Sequence, residues 1–119
     1  MWAEVPVEYA LKNIMKINKS LQNIVQTIVE SIHPQRIILF GSRARGDGHS
    51  LSDYDLLVIK RGVKNERNFS RKIHNAFYEN KINQSIDVIV VDAAKFDKQK
   101  NNPYLIYAWA LKEGKQLYG

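Results

Sequence analysis

Apolar residues recur along this chain with two different periods. Between Ser20 and Ile32 they fall at Leu21, Ile24, Val25, Ile28, Val29 and Ile32, the three- and four-residue spacing that lays one apolar stripe along a helix. Ser20 reads as its N-cap, and Pro34 ends it. Contiguous apolar runs follow, at Ile37-Ile38-Leu39-Phe40 within Arg36 to Phe40, at Leu56-Leu57-Val58-Ile59 within Asp53 to Lys60, and at Val88-Ile89-Val90-Val91 within Ser85 to Val91. Their length and β-branched content predict three buried strands. Between the second and third, Asn65 to Lys81 places Phe69, Ile73, Ala76 and Phe77 at helical spacing. Asp92 is a cap for a helix through Lys98, and Pro103 fits the first turn of another helix running to about Glu113. Gly114 would stop that helix, leaving Lys115 to Tyr118 as a short last strand. Helices alternating with strands predict an α/β (α+β) fold, a small mixed β-sheet flanked by helices. Residues 20–119 read as one domain. Residues 1–19 read as an N-terminal helical extension, because Val7 to Ile17 has helical character and Asn18-Lys19-Ser20 looks like a break.

Composition narrows the class. A chain of 119 residues supports one core. There is no cysteine, which removes disulfides, thiolate catalysis and cysteine-bound zinc. No apolar run reaches the length of a bilayer span, and the first residues lack a signal-peptide pattern, so the expected compartment is the cytoplasm and no membrane partner is expected. The net charge of +6 suits a nucleotide, a nucleic acid or an acidic protein. Its carriers are scattered over Lys60-Arg61, Lys64, Arg67, Arg71-Lys72, Lys81 and the stretch from Lys95 to Lys100. Scattered charge reads first as solvated faces, and a basic groove for RNA is the alternative.

The candidate chemistry sits where the first two strands meet polar loops. Gly41-Ser42-Arg43-Ala44-Arg45-Gly46 follows the first strand, and Ser52-Asp53-Tyr54-Asp55 opens the second. Alternation along a strand puts Asp53 and Asp55 on one face, about 6–7 Å apart. Two carboxylates that close are costly without a cation, and Mg²⁺ is commonly held by one or two carboxylates plus substrate phosphates. Gly41 permits close approach of a phosphate, and Ser42 offers a hydroxyl and an amide at a helix start. Arg43 and Arg45 lie two apart and cannot share a helix face; Arg43 is the preferred phosphate ligand and Arg45 the weaker candidate. Gly46 and Gly48 shape the loop, Ser52 orders it, Asp47 and His49 read as solvated, and Tyr54 faces the core. Tyr104, Tyr107, Trp109 and Leu111 have helix-like spacing and read as a packing or partner surface.

Gly41-Ser42, ten residues, then Asp53-x-Asp55 resembles the signature of the polymerase-β-like nucleotidyltransferase superfamily. Asp87, opening the apolar run of the third strand, matches the third carboxylate that this superfamily uses. Over about residues 20 to 118 the chain is most similar to the minimal nucleotidyltransferase group, many of which are antitoxins paired with helical HEPN-domain toxins. The resemblance implies two Mg²⁺ ions on Asp53, Asp55 and Asp87, with Gly41 and Ser42 holding the β/γ-phosphates of ATP. It further implies transfer of AMP to a hydroxyl, a tyrosine of the HEPN toxin, with Asp87 on the metal that activates the nucleophile. One small core leaves little room to hold an acceptor, so another molecule would present it. Three other readings stay open: an antitoxin that neutralises its partner by binding alone, an aminoglycoside-type small-molecule transferase completed as a homo-oligomer, and an RNA-tailing enzyme. The last is disfavoured by the scattered charge.

Overall fold

A computed structural model describes residues 19–46 and 53–119. The extension expected over the first nineteen residues, and the loop holding Asp47, Gly48, His49 and Ser52, lie outside the described residues except for Lys19. The apolar stripe becomes helix α1 (Lys19–Ile32), with Leu21, Ile24, Val25, Ile28, Val29 and Ile32 all buried. Ser20 lies inside this helix rather than capping it. The exit is made by His33, whose φ of 50° turns the chain while its N–H donates to the Val29 carbonyl at 2.9 Å. Pro34 then prevents further helix.

The chain continues through β1 (Arg36–Phe40), the one-turn α2 (Ser42–Arg45), β2 (Tyr54–Lys60), α3 (Glu66–Glu79), β3 (Ile86–Asp92), α4 (Ala93–Gln99), α5 (Ile106–Glu113) and β4 (Lys115–Tyr118). These boundaries follow the sequence pattern closely, with two shifts. Strand β2 starts at Tyr54, leaving Asp53 just outside the ladder. Helix α5 starts at Ile106, so Pro103 is not in its first turn. The side chain of Asn102 accepts the Tyr104 amide at 3.0 Å and its carbonyl accepts the Leu105 amide at 3.1 Å. That local turn competes with helix and wins until Leu105.

The strands form one sheet in the order β3-β2-β1-β4. Strand β1 is antiparallel to both β2 and β4, while β2 and β3 are parallel and joined by α3 as a crossover. Both faces are covered, which explains why the strands read as unbroken apolar runs. On one face Ile37, Leu39, Tyr54, Leu56, Val58 and Val90 pack against α1 and α3, through residues such as Ile28, Ile73 and Phe77. On the other, Ile38, Leu57, Ile59 and Val91 pack under Phe96 of α4 and Tyr107 and Ala110 of α5. Asp92 secures one end of this second layer. Its carboxylate accepts the Val63 amide at 2.9 Å and caps α4 through the amides of Ala94 and Lys95 at 3.1 and 3.4 Å. These amides, led by that of Val63, hold the Asp92 carboxyl below its ordinary range.

Candidate active site

Three chain segments end at the same edge of the sheet. Because β1 runs against β2 and β2 runs with β3, the C-terminal end of β1 meets the N-terminal ends of the other two. The register places Phe40 opposite Asp55 across one ladder and Asp55 opposite Asp87 across the next. Asp55 and Asp87 therefore stand side by side on the face that carries Leu57 and Ile89, the α4–α5 side. Asp53, two residues before Asp55, is exposed at the mouth of the same edge.

The carboxyl groups of Asp55 and Asp87 lie close enough to influence each other, and Asp55 is pushed above its ordinary carboxylate range. Burial is the largest cause, followed by the charge of Asp87 and then that of Asp53. Arg45 acts in the opposite direction. The donor set is thus all hard oxygen with surplus negative charge, which is chemistry suited to Mg²⁺. Among the described residues these side chains do not enclose an ion by themselves. Mg²⁺ sites are ordinarily finished by waters and substrate phosphates, so an open set of carboxylates fits that ion.

Gly41 shapes the floor. Its φ of 75° and ψ of −160° lie in a region that side chains rarely adopt. A Cβ at this position would collide with Oδ2 of Asp55 and stand 3.2 Å from its Cγ. The Asp55 carboxylate rests directly against the glycine backbone. The Gly41 carbonyl accepts the amides of Ala44 and Arg45, each at 3.1 Å, closing α2 immediately after the strand, with Ser42 at its head.

The two arginines diverge. Arg43, the side chain expected on the phosphates, has its guanidinium carbon 4.1 Å above the ring of Tyr54. Tyr54 belongs to the α1–α3 side, as its alternation predicts, so this contact draws Arg43 toward the face opposite Asp55 and Asp87. Arg45 instead reaches α5, with Nη1 3.8 Å from Oε2 of Glu113. Glu113 was invisible to pattern reading, though a carboxylate in the last turn of a helix runs against the dipole and is a mark worth following. Of the late aromatic cluster, Tyr107 is core, while Tyr104 and Trp109 are exposed. A polar concavity of about 430 Å³ opens between α1 and the loop after α3, lined in part by Asn23, Gln26, Asn80 and Asn83. None of the three carboxylates lines it, and its ionisable groups are Glu30 and Lys81.

Comparison with known proteins matches the same span. The model of the nucleotidyltransferase domain family matches residues 14–110. Among solved structures the chain is similar to a Sulfolobus solfataricus protein assigned as a nucleotidyltransferase, with 26% identity over 80% of this chain and 82% of that one and a TM-score of 0.54. It is similar to a toxin–antitoxin structure with AMP-PNP at 20% identity, covering 86% of this chain and 74% of that one, with a TM-score of 0.53. A toxin–antitoxin MntA-HpeT mutant structure gives 19% identity, 82% and 71% coverage and a TM-score of 0.52. The last two likenesses speak for the fold alone. No curated protein matches the chain.

Proposed function

The chain belongs to the nucleotidyltransferase domain family, and on that premise we propose that it is a Mg²⁺-dependent enzyme that moves AMP from ATP to a tyrosine hydroxyl of a HEPN-type toxin, acting as its antitoxin. The observation that carries the reading is the register of Asp55 against Asp87, with Gly41 packed on Asp55. It gathers acidic oxygens at the end of the strand that leads into the Gly41-Ser42 turn. Support for the partner comes from the fold shared with toxin–antitoxin structures, one of them with AMP-PNP. Among the described residues no helix is long and apolar enough to cross a membrane. A reaction fed by ATP fits the cytoplasm.

In this reading Asp53, Asp55 and Asp87 would hold two Mg²⁺ ions. When bound, the ions would neutralise charge on the transferring phosphate and on the leaving pyrophosphate. Gly41 and Ser42 bring backbone amide and hydroxyl to the β/γ-phosphates. Asp87, facing Asp55 across the ladder, accepts the proton of the attacking hydroxyl. The hydroxyl oxygen bonds to the α-phosphorus as the bond to pyrophosphate breaks. Positioning and fixed charge supply most of the acceleration.

The test is label transfer. Purified protein with α-labelled ATP, Mg²⁺ and the helical protein encoded beside its gene should label a tyrosine of that protein and relieve its toxicity. An Asp53→Asn/Asp55→Asn variant should do neither. If that variant folds, binds and still protects cells fully, neutralisation is by binding. Label on an RNA end or an aminoglycoside, with none on the toxin, defeats the antitoxin assignment.

A further inference from the structure

The two edges of the sheet are finished differently. Strand β4 has four residues, opens on Lys115, and its ladder with β1 shifts register between Ile37 and Ile38. Shortness, an edge lysine and a broken register all discourage pairing with another chain. Strand β3, the opposite edge, runs for seven residues in unbroken register with β2, and contains no lysine, proline or glycine. The Ser85 carbonyl accepts the Tyr54 amide at 3.0 Å, so Ser85, Asp87 and Ile89 turn their main-chain groups toward β2. Alternation turns those of Ile86 and Val88 outward. Among the described residues no main-chain partner meets them. Burial marks out the same stretch: Ile86 to Ile89 are exposed or half-buried, whereas Val90 and Val91 are buried. The open part of this edge is the part that carries Asp87.

We propose that an extended segment of the acceptor protein pairs antiparallel with this stretch, as a fifth strand beside the four of the sheet, and sets the acceptor tyrosine opposite Asp87. The proposal rests on the function proposed above and says how that partner is held. Bonds to Ile86 and Val88 leave Asp87 in a non-hydrogen-bonded pair, the closer kind, with Cα atoms about 4.5 Å apart. Residues directly opposite share a face of the sheet, with Cβ atoms about 4.5–5.5 Å apart. The tyrosine therefore stands on the α4–α5 face, beside the carboxylate assigned to take its proton. Its two neighbours in the segment turn to the other face, beside Ile86 and Val88, which pack on the α1–α3 core. The segment thus reads apolar, tyrosine, apolar, and lies between or beyond the helices of the toxin. Main-chain bonds supply the affinity and the alternate side chains the choice. A second copy of this chain fits the edge poorly. The open stretch is so short that pairing it with itself crowds one Asp87 against another. Asp55 already feels the charges of Asp87 and Asp53 there. A tyrosine arrives neutral and brings a donor.

The experiment follows backbone amide exchange by NMR in the full chain, alone and with the helical protein encoded beside its gene, together with AMP transfer to that protein. In the free chain the amides of Ile86 and Val88 should exchange fast, while those of Asp87 and Ile89, held by β2, exchange slowly. The bound acceptor should slow Ile86 and Val88. Val88→Pro removes one outward amide and leaves the bonds to β2 in place. It should raise KM for the acceptor about 2- to 10-fold, the range for one hydrogen bond, with kcat and Mg²⁺-dependent binding of AMP-PNP as in wild type. Ile86→Pro, at the first residue of the strand where proline is tolerated, should do the same, and carries the test if Val88→Pro does not fold. Strand pairing is overturned if both amides are protected in the free chain, if they stay fast with the acceptor bound, or if the folded proline variants keep the wild-type KM. Protection that grows with the concentration of the chain alone gives the edge to a second copy instead. If wild type moves no AMP to that protein, the function proposed above falls first. AMP transfer without the amide pattern overturns this inference alone.

Discussion

Replacing Gly41 by Ala tests the floor of the site with a single methyl group. Two costs follow from the structure. The backbone at φ 75° and ψ −160° is outside the range alanine accepts, and holding a side chain there costs about 1–3 kcal/mol. In a chain of this length about 1 kcal/mol lowers the melting temperature by about 4 °C, so a loss of about 4–12 °C is expected. The second cost falls on function. The methyl would occupy the place of Asp55 Oδ2 and crowd its Cγ at 3.2 Å. The short side chain escapes by changing rotamer, which turns its carboxylate away from Asp87. Melting curves with and without Mg²⁺ and AMP-PNP separate the two effects. Ligand at a hundredfold excess over Kd stabilises wild type by about 2.7 kcal/mol, or about 10 °C. Gly41→Ala should show the lower baseline and little of that shift. A variant that melts with wild type and keeps the full shift would refute both the strain and the packing of Asp55 on the glycine.

Further outcomes follow from the same structure. Asp55 is raised above its ordinary range, so its ionised form opposes folding above the folded pKa, and the penalty shrinks as pH falls through that value and is gone below the unfolded value of about 3.9. Metal-free Asp55→Asn should therefore melt above wild type at pH 7 and converge with it near pH 4, while losing nucleotidyl transfer. Asp92 is lowered, so its stabilisation is present above the unfolded pKa and lost as pH falls through the folded one. Asp92→Ala should melt below wild type at neutral pH, and acid titration below about pH 4 should narrow the gap. Phe96→Ala removes a ring only 1% exposed beneath α4, and urea unfolding should show a loss of about 3–5 kcal/mol.

Much of this architecture was legible because local and global preferences agree. Leu21 to Ile32 could only be a one-sided helix, and the three apolar runs could only be buried strands. Gly41, Asp53 and Asp55 were legible because their spacing ties a turn to a strand. What escaped was set by distant parts of the chain. Pro103 satisfies every rule for a helix start, yet the Asn102 side chain captures the Tyr104 amide and its carbonyl the Leu105 amide first. The paths of Arg43 and Arg45 depend on where Tyr54 and Glu113 lie in space, and neither distance is written in the residues between them. Asp87 could be placed on a strand from its neighbours, but its partner across the ladder depends on how α3 carries the chain from β2 to β3.

The pairing of Asp55 with Asp87 is a property of alignment between strands, and alignment in a sheet is all or nothing. A slide of β3 by a single residue would send Asp87 to the α1–α3 side and bring a hydrocarbon side chain to its place. Such a chain could still be collapsed and helical, yet it would lack the Asp55–Asp87 pair on which the proposed cation site depends. On that proposal, cation loading would serve as an inspection step on assembly, since only molecules whose β2–α3–β3 unit has locked in correct phase set the two carboxylates side by side.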